Sequence, residues 1–562
     1  MTLRKVCFIL LAFRCSLSTS KYLKFHHIRR LSGFRMWKYF QASRSFYLVA
    51  TLTGLSFALM GYQNGLFGGL TDDPNWNQRF GYPSRLVMST IVAVYQLGCL
   101  FGCFLTYLYG EALGRKMTIR VGAVIMTGGA LLQIIALSRE CLIVGRILSG
   151  IGLGFISSTA PVLLAEVSPS AKRGTYGCAQ LSTLNFGICL SYWINYWMSH
   201  NLRGSFTFQV PIAFQYFIII PILSLTWMIP ESPMWLISNS RAQEAFTALT
   251  KLRGGKRNEA EIREKITDME VIVIYEKSVP DIGYKSLFLD DGMKTRVRVL
   301  IGCSVQSFQQ LGGVNVIVYH AHFMFSSCLG FSTEMSSLIS ALLFTWFFIA
   351  SFIPYFLIDT LGRRILMIPS VAIMGFIFAA LAGVTQQIEE NGTHSYPCSI
   401  AAAVLCFVFL AVFAVGFQAT VWFYPPEILP QRLRAKGTAL STACNWFFNF
   451  VVVEFFPLAT GKIGWKTYLI FMALNLSFVP IMYFYYPETK GKTLEEIDLM
   501  FGDADSPETR RRRMNEIRLT LAAIQGFVGQ DLKDFDHAST TNGYCKDSLG
   551  SMEKQLPTVS RT

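Results

Sequence analysis

Charged side chains are scarce in this chain of 562 residues: 15% are Asp, Glu, Lys or Arg, against roughly a quarter in a soluble domain. A shortfall of that size excludes an ordinary water-soluble globule. Cysteine occurs 13 times, but never as CxxC and never at metal-ligand spacing, which excludes zinc-ribbon and thioredoxin-like chemistry. Most of these cysteines sit in apolar runs and read as small filler. The chain has no glycine-rich phosphate loop and no nucleophile constellation, so neither an enzyme nor a cofactor or metal is expected. Alternating segments of about ten residues are also missing, which argues against a transmembrane β-barrel.

Long apolar runs stand where charge is lacking. Hydrophobic residues make up 52% of the chain. Charge-free windows fall at 45–71, 86–110, 121–138, 147–165, 174–202, 204–230, 299–333, 335–358, 365–388, 391–426, 437–453 and 467–487. Most reach the ~20 residues that a spanning helix needs. The expected fold is an all-α membrane protein with twelve transmembrane helices in a lipid bilayer. Its expected divisions are a cytoplasmic arm at 1–45, six spans over 46–229, a linker of short surface helices over 230–298, six spans over 299–486 and a cytoplasmic tail at 487–562. Within the arm, VCFILLAF imitates a signal peptide but is short, so the segment reads as an unstructured arm or, with Met36 as an alternative start, a start-site artefact.

The formal net charge is +15, and its placement follows loop parity. Arg115 and Lys116, Lys172 and Arg173, Arg363 and Arg364, and Arg432, Arg434 and Lys436 fall in every second loop. By the positive-inside rule both termini and the linker are cytoplasmic. Basicity spread this way does not form the single stripe of a nucleic-acid binder. Asn391-Gly392-Thr393 is a glycosylation sequon in a predicted outside loop. Cys328 and Cys398 also fall in outside loops, which leaves a disulfide between them open.

Three patterns occur twice in the same order. Glu111 with Arg115 matches Asp359 with Arg363; Glu166 with Arg173 matches Glu427 with Arg434; Pro230-Glu231-Ser232 matches Pro487-Glu488-Thr489. The offsets are 248 (111 to 359), 261 (166 to 427) and 257 (230 to 487) residues. The chain thus reads as one six-span unit written twice, with two pseudo-symmetric bundles. All three patterns lie at predicted cytoplasmic helix ends. Solvated turn charges would be the bland explanation; acid and arginine recurring together suggest ion pairs that latch bundle to bundle and release as they rock.

Polar residues inside the spans mark a path, since an unsatisfied polar group in hydrocarbon costs several kcal/mol. The seventh span holds Gln306, Gln309 and Gln310 on one helical face, then Asn315 and Tyr319. Three amides on one face offer donors and acceptors together, as needed to grip several hydroxyls. In the tenth span Trp422 precedes Pro425-Pro426, which frees carbonyls; in the eleventh, Asn445 and Asn449 share a face. Gln180, Asn185 and Gln215 are sparser in the first half. Helix–helix hydrogen bonding is the alternative use of such amides.

The motifs GRILSGIGLG…EVSPSAKRG, PESPMWL, QQLGGVN, DTLGRR, WFYPPEILPQRLRAKG, STACNWFFNF and YPETKGKTLEEID resemble the sugar porters of the major facilitator superfamily, fungal members above all, from about Gly61 to Asp498. The resemblance implies the major facilitator fold, with a sugar bound midway between two six-helix bundles. It carries sugar-binding roles onto Gln309, Gln310, Asn315, Trp422 and Asn445, with Gln306 nearby and Gln180 one step from the family's fifth-span glutamine position, here Leu181. Tyr319 falls on the family's outer gate. An eighth-span asparagine of some members aligns with Phe347, and Met234 stands where arginine is usual.

The family's first-span Gly-Tyr-Asp reads Gly61-Tyr62-Gln63 here. In proton-coupled members that acid pairs with an arginine matching Arg146. Both positions are ~7–8 Å from the outer end of their helices, so Gln63 is expected to cap Arg146 as a neutral acceptor that cannot titrate. Transport is therefore expected to be facilitative, most readily of a hexose, by a monomer in the plasma membrane. Glu454 is the surviving candidate acid should a proton be coupled. A sugar:proton symporter and a non-transporting sugar sensor of the same fold remain the alternatives.

Overall fold

The computed structural model describes residues 44–501, apart from 71–73, 170–171, 203, 254–258, 279–293, 392–395, 431–432, 493–496 and 498–499. The amino-terminal arm and most of the tail lie outside the described residues. Among the described residues there is no strand. The first six spans are Arg44–Leu70, Arg85–Leu113, Arg115–Ile134, Arg139–Val167, Arg173–Asn201, and a sixth made of Phe206–Phe214 and Tyr216–Met228. The second six begin with Thr295–Leu311 continued by Val314–Phe323, then Thr333–Ala350 continued by Pro354–Leu361, then Arg363–Asn391. The tenth starts as Tyr396–Val412 and is broken further on, and the last two are Arg434–Ile463 and Lys466–Tyr485.

The breaks have local causes. Gly312-Gly313 interrupts the seventh span, with Gly313 in the left-handed region at φ 85°. The tenth passes through a π-helical stretch at Phe413–Gln418 before Pro425 and Pro426, which lack N–H donors, restart it as Tyr424–Ile428. Among the described residues ten helices are long and apolar enough to cross a bilayer unaided. The two left over are the fifth, long but polar, and the broken seventh. These carry Gln180, Asn185 and Asn195, and Gln306, Gln309 and Gln310, all buried. A span can depart this far from lipid-like composition only by facing protein on most sides.

Two six-helix bundles meet chiefly where the second span packs on the eleventh and the fifth on the eighth. Their likeness is visible at two glycines. Gly114 (φ 81°) and Gly362 (φ 100°) turn the chain into the third and ninth spans. In the first bundle Glu231 Oε1 accepts from the main-chain N–H of Arg115 at 3.1 Å and of Lys116 at 3.2 Å. In the second, Glu488 accepts from Arg363 N at 3.0 Å and Arg364 N at 2.9 Å. Each carboxylate therefore sits on the amino end of a helix, where the helix dipole and free N–H groups favour it. Burial pushes the Glu231 carboxyl up, against the pull of these N–H donors. The linker forms short helices, among them Pro233–Ser238, Ala242–Leu252 and Glu259–Ser278, around its own small core of Leu236, Ala245, Leu249 and Ile262.

Two expectations about the opposite face meet the structure unequally. Cys398 is a free thiol, so it is not bonded to Cys328, whose side chain lies outside the described residues. Asn391 ends the ninth span, while Gly392 and Thr393 lie outside the described residues.

The glycines of the first span permit main-chain contact rather than a turn. A Cβ at Gly61 would overlap the carbonyl oxygen of Leu184 on the fifth span. Gly61→Ala is therefore expected to cost about 1–3 kcal/mol through overpacking, whereas Gly128→Ala, with nothing within 4 Å of its Cβ, is expected to be neutral. Thermal unfolding of the two purified variants in detergent makes the comparison, and equal melting points would contradict this packing.

Candidate functional site

Between the bundles lies a cavity of about 40 Å³, room for about three waters at ~10–15 Å³ each. Its lining includes Gln309, Gln310, Asn315, Trp422 and Asn445, five of the seven residues expected to touch solute. Asn445 is the hub. Its Nδ2 donates to Gln306 Oε1 at 2.6 Å and to Gln309 Oε1 at 2.8 Å, and its Oδ1 accepts from Gln310 Nε2 at 2.9 Å. Asn315 Nδ2 donates in turn to Gln310 Oε1. The i, i+3, i+4 spacing thus aims the three glutamines at one asparagine of the eleventh span. Trp422 is buried and meets Phe57 of the first span edge-on, with ring centroids 5.4 Å apart.

Two expected contacts fall elsewhere. Gln306 stands behind the hub, donating to the Val421 carbonyl at 3.3 Å, and does not line the cavity. Gln180 points to the Thr53 carbonyl at 3.5 Å and is also absent from the lining. The other liners include Asn64 of the first span, Phe347 of the eighth and Gln418 of the tenth, none of them expected to touch solute, and Asn449 of the eleventh, which the sequence placed on one face with Asn445. Asn64 beside Gln63 among glycines and Gln418 within GFQATVW were signals of the same kind as the glutamine face, but isolated.

Bonds cross from bundle to bundle on both sides of the cavity. Toward the end opposite the basic loops, Tyr319 Oη donates to Asn64 Oδ1 at 2.8 Å, joining seventh span to first. At the basic end the expected acid–arginine latches are made, but within bundles. Arg115 pairs with Glu166 at 2.8 Å, and Arg363 with Glu427 at 2.9 Å and Asp359 at 3.2 Å. Ser232 and Thr489 hydroxyls complete Glu166 and Glu427 at 2.5 and 2.8 Å. Arg173 and Arg434 open the fifth and eleventh spans, and Arg434 is buried. The links that cross are different ones. Glu111 binds Lys436 at 3.0 Å, and Asp359 accepts from Thr175 N at 3.2 Å and Thr175 Oγ1 at 2.8 Å. Buried pairs need the geometry seen at Arg115 and Arg363, and losing one partner strands the other. Glu111–Lys436, with Glu111 39% exposed, holds weakly enough to be broken in a cycle.

Gln63 does not cap Arg146. Its amide donates to Gln215 Oε1 of the sixth span. Arg146 gives Nε and Nη2 to the carbonyls of Ile91 at 3.3 Å and Val92 at 2.8 Å, with its guanidinium over the rings of Phe67 and Tyr95 at 4.0 and 4.5 Å. Gln63 Oε1 and Arg146 Nη1 are left without a hydrogen-bond partner among the described residues. The sequence placed both side chains at similar depth but could not foresee that carbonyls and rings of the second and first spans would occupy the guanidinium first.

A membrane carrier of two repeated bundles around a neutral, amide-lined centre is what this fold and site define. Residues 46–501 match the sugar (and other) transporter family, and the chain belongs to it. It is 34% identical over 457 residues to the MFS-type transporter oryC of Aspergillus oryzae, covering 80% of this chain and 84% of that one. With the sugar transporter STL1 of Saccharomyces cerevisiae it shares 31% identity over 517 residues, 89% and 87% of the two chains. The solved structure of the Escherichia coli proton:xylose symporter XylE bound to 6-bromo-6-deoxy-D-glucose aligns with a TM-score of 0.71 over 81% of this chain and 99% of that one, at 23% identity. That last likeness is one of fold, the major facilitator fold.

Glu427→Ala is expected to destabilise the protein by about 3–5 kcal/mol because it strands a buried guanidinium. Glu111→Ala, at a partly exposed pair, is expected to cost at most about 1 kcal/mol. Melting of both purified variants tests the ranking; a costlier Glu111→Ala would show that the cross-bundle pair carries the stability instead.

Proposed function

We propose that the protein carries a small neutral polyhydroxylated solute, a hexose foremost, across the membrane by alternating access of its two bundles. The observation that carries this reading is the cavity between the bundles with a polar lining of amides and an indole: Gln309, Gln310, Asn315, Asn445 and Trp422. Amides match hydroxyls as both donors and acceptors, and an indole face suits the apolar face of a sugar ring. A sugar transporter and a proton:xylose symporter among the relatives favour the same solute class. Tyr319–Asn64 on one side, and Glu111–Lys436 with Thr175–Asp359 on the other, act as the alternating gates. The basic end faces the cytoplasm by the positive-inside rule, the host membrane is the plasma membrane, the sequon at Asn391 is glycosylated, and the working unit is one chain.

Transport runs downhill in this reading, because Gln63 cannot exchange a proton. One observation supports the symporter instead. Glu454 of the eleventh span accepts from Thr90 Oγ1 of the second at 3.0 Å, an acid placed between the bundles, with its Oε2 unpartnered among the described residues.

Purified protein in liposomes separates these readings. Saturable influx of labelled hexose without alkalinisation of a weakly buffered medium is the expected result. Gln309→Ala and Gln310→Ala are expected to lower influx at limiting solute at least about tenfold, since each loses hydrogen bonds to solute and unpairs the hub. Absence of any flux would favour a sensor. Proton movement that stoichiometrically follows the sugar, and vanishes in Glu454→Gln, would establish symport. Competition by unlabelled hexoses, pentoses, disaccharides and polyols identifies the solute.

A further inference from the structure

Asn185 on the fifth span and Gln418 on the tenth form a reciprocal amide pair. Asn185 Nδ2 donates to Gln418 Oε1 at 2.9 Å, and Gln418 Nε2 donates back to Asn185 Oδ1 at 2.8 Å. Both side chains are buried, and the two residues belong to different bundles. Gln418 lines the cavity and Asn185 does not. By helix rise, Gln418 lies ~15 Å and Asn185 ~18 Å from the basic end of their helices, against ~21 Å for Gln309. By the same measure the liners Asn445 (~17 Å) and Trp422 (~9 Å) lie as near or nearer the basic end, so the pair bridges the bundles beside the cavity, at the head of the seam that runs to the basic end.

We infer that the Asn185–Gln418 pair is a cross-bundle clasp beside the cavity, a positioning device that holds closed the seam running from it to the basic end. The inference deepens the transport reading and rests on it for the meaning of the gate. Each amide uses one N–H and its oxygen in the clasp. Gln418 keeps a second N–H and a lone pair for the cavity it lines. A solute hydroxyl bonded there shares the amide that holds Asn185, which links occupancy to the clasp. Neighbouring contacts fit one seam. Ser182 Oγ donates to the Ser351 carbonyl at 3.1 Å across the bundles, and Cys178 is buried in a cross-bundle cluster with Ile358, Leu366 and Ala419. A Cβ at Gly177 would overlap the Phe423 ring, so the seam closes to contact.

Cys178 supplies a readout that needs no solute. It lies two helical turns from Asn185 toward the basic end of the same helix, and can be reached only when the seam parts. Alkylation of purified protein by a small maleimide, mapped by mass spectrometry, is expected to label Cys178 several-fold faster, up to about tenfold, in Asn185→Ala and in Gln418→Ala. The double variant is expected to be no faster than the faster single, because either change removes the same clasp. The exchanged variant Asn185→Gln with Gln418→Asn keeps two complementary amides and is expected to return to the wild-type rate. Cys406, buried ~18 Å along the tenth span from Gln418, is the control and is expected not to change.

In liposomes the single variants are further expected to raise the half-saturating concentration for influx, as the outward-competent fraction falls, and to leave that for efflux unchanged or lower. Unchanged Cys178 labelling, equal acceleration at Cys406, or additive effects in the double variant would overturn the clasp. So would influx and efflux constants that rise together, the signature of a plain solute contact. A wild type that carries no solute would overturn the transport reading alone, since the labelling still reports the gate.

Discussion

An amide in hydrocarbon has to find its partner inside the protein, and that constraint organises the centre of this molecule. Gln306, Gln309, Gln310, Asn315 and Asn445 satisfy one another around a single asparagine, while Asn64, Asn185 and Gln418 are satisfied across the bundle boundary. None of these bonds needs solute. In the transport proposed above, amide–amide bonds would be exchanged for amide–hydroxyl bonds of similar worth, so the net change would be small although each gross interaction is strong. A carrier benefits from that near-balance, because a site that held solute much more tightly than it held itself would release slowly.

The repeat goes deeper than the acid–arginine motifs suggest. Glu111 and Asp359 are equivalent by the offset of 248, and Thr175 and Lys436 by the offset of 261 that also separates Glu166 from Glu427. The two bonds that cross the bundles at the basic end, Glu111–Lys436 and Asp359–Thr175, therefore join equivalent positions in opposite directions. One is an ion pair and the other a carboxylate bound to the amino end of a helix, so duplicated geometry has diverged in chemistry. The buried pairs Arg115–Glu166 and Arg363–Glu427 stay inside their bundles and keep each one rigid. Rigid halves joined by weaker links are what a rocking motion requires.

Much of this was legible in the residues because lipid imposes a simple code. Charge-free runs of about twenty residues locate spans, and loop parity of Lys and Arg orders them. The glutamine face of the seventh span was legible because period 3.6 brings 306, 309 and 310 together. Pairing between elements was not. Nothing in a linear pattern tells that Arg115 faces Glu166 of its own bundle while Glu111 reaches Lys436 of the other. Nor does it tell that Gln180 turns to a carbonyl of the first span. Single polar residues such as Asn64 and Gln418 carry no periodic signal, so their place in the lining depends on helix rotation that only packing fixes.

The missing acid at position 63 bears on how coupling and gating are divided. Gln63 is tied to Gln215, and Arg146 to carbonyls of Ile91 and Val92 and to the rings of Phe67 and Tyr95. Every one of these partners belongs to the first bundle. Bonds that cross the bundles, by contrast, use among others Asn64, Thr90, Glu111, Thr175, Ser182 and Asn185 against Tyr319, Glu454, Lys436, Asp359, Ser351 and Gln418. No residue is shared between the two sets. Gln63 carries no proton to exchange, and the downhill transport proposed above needs none there. Among the described residues no carboxylate pairs with Arg146, and its desolvation is offset by two carbonyls and two ring faces.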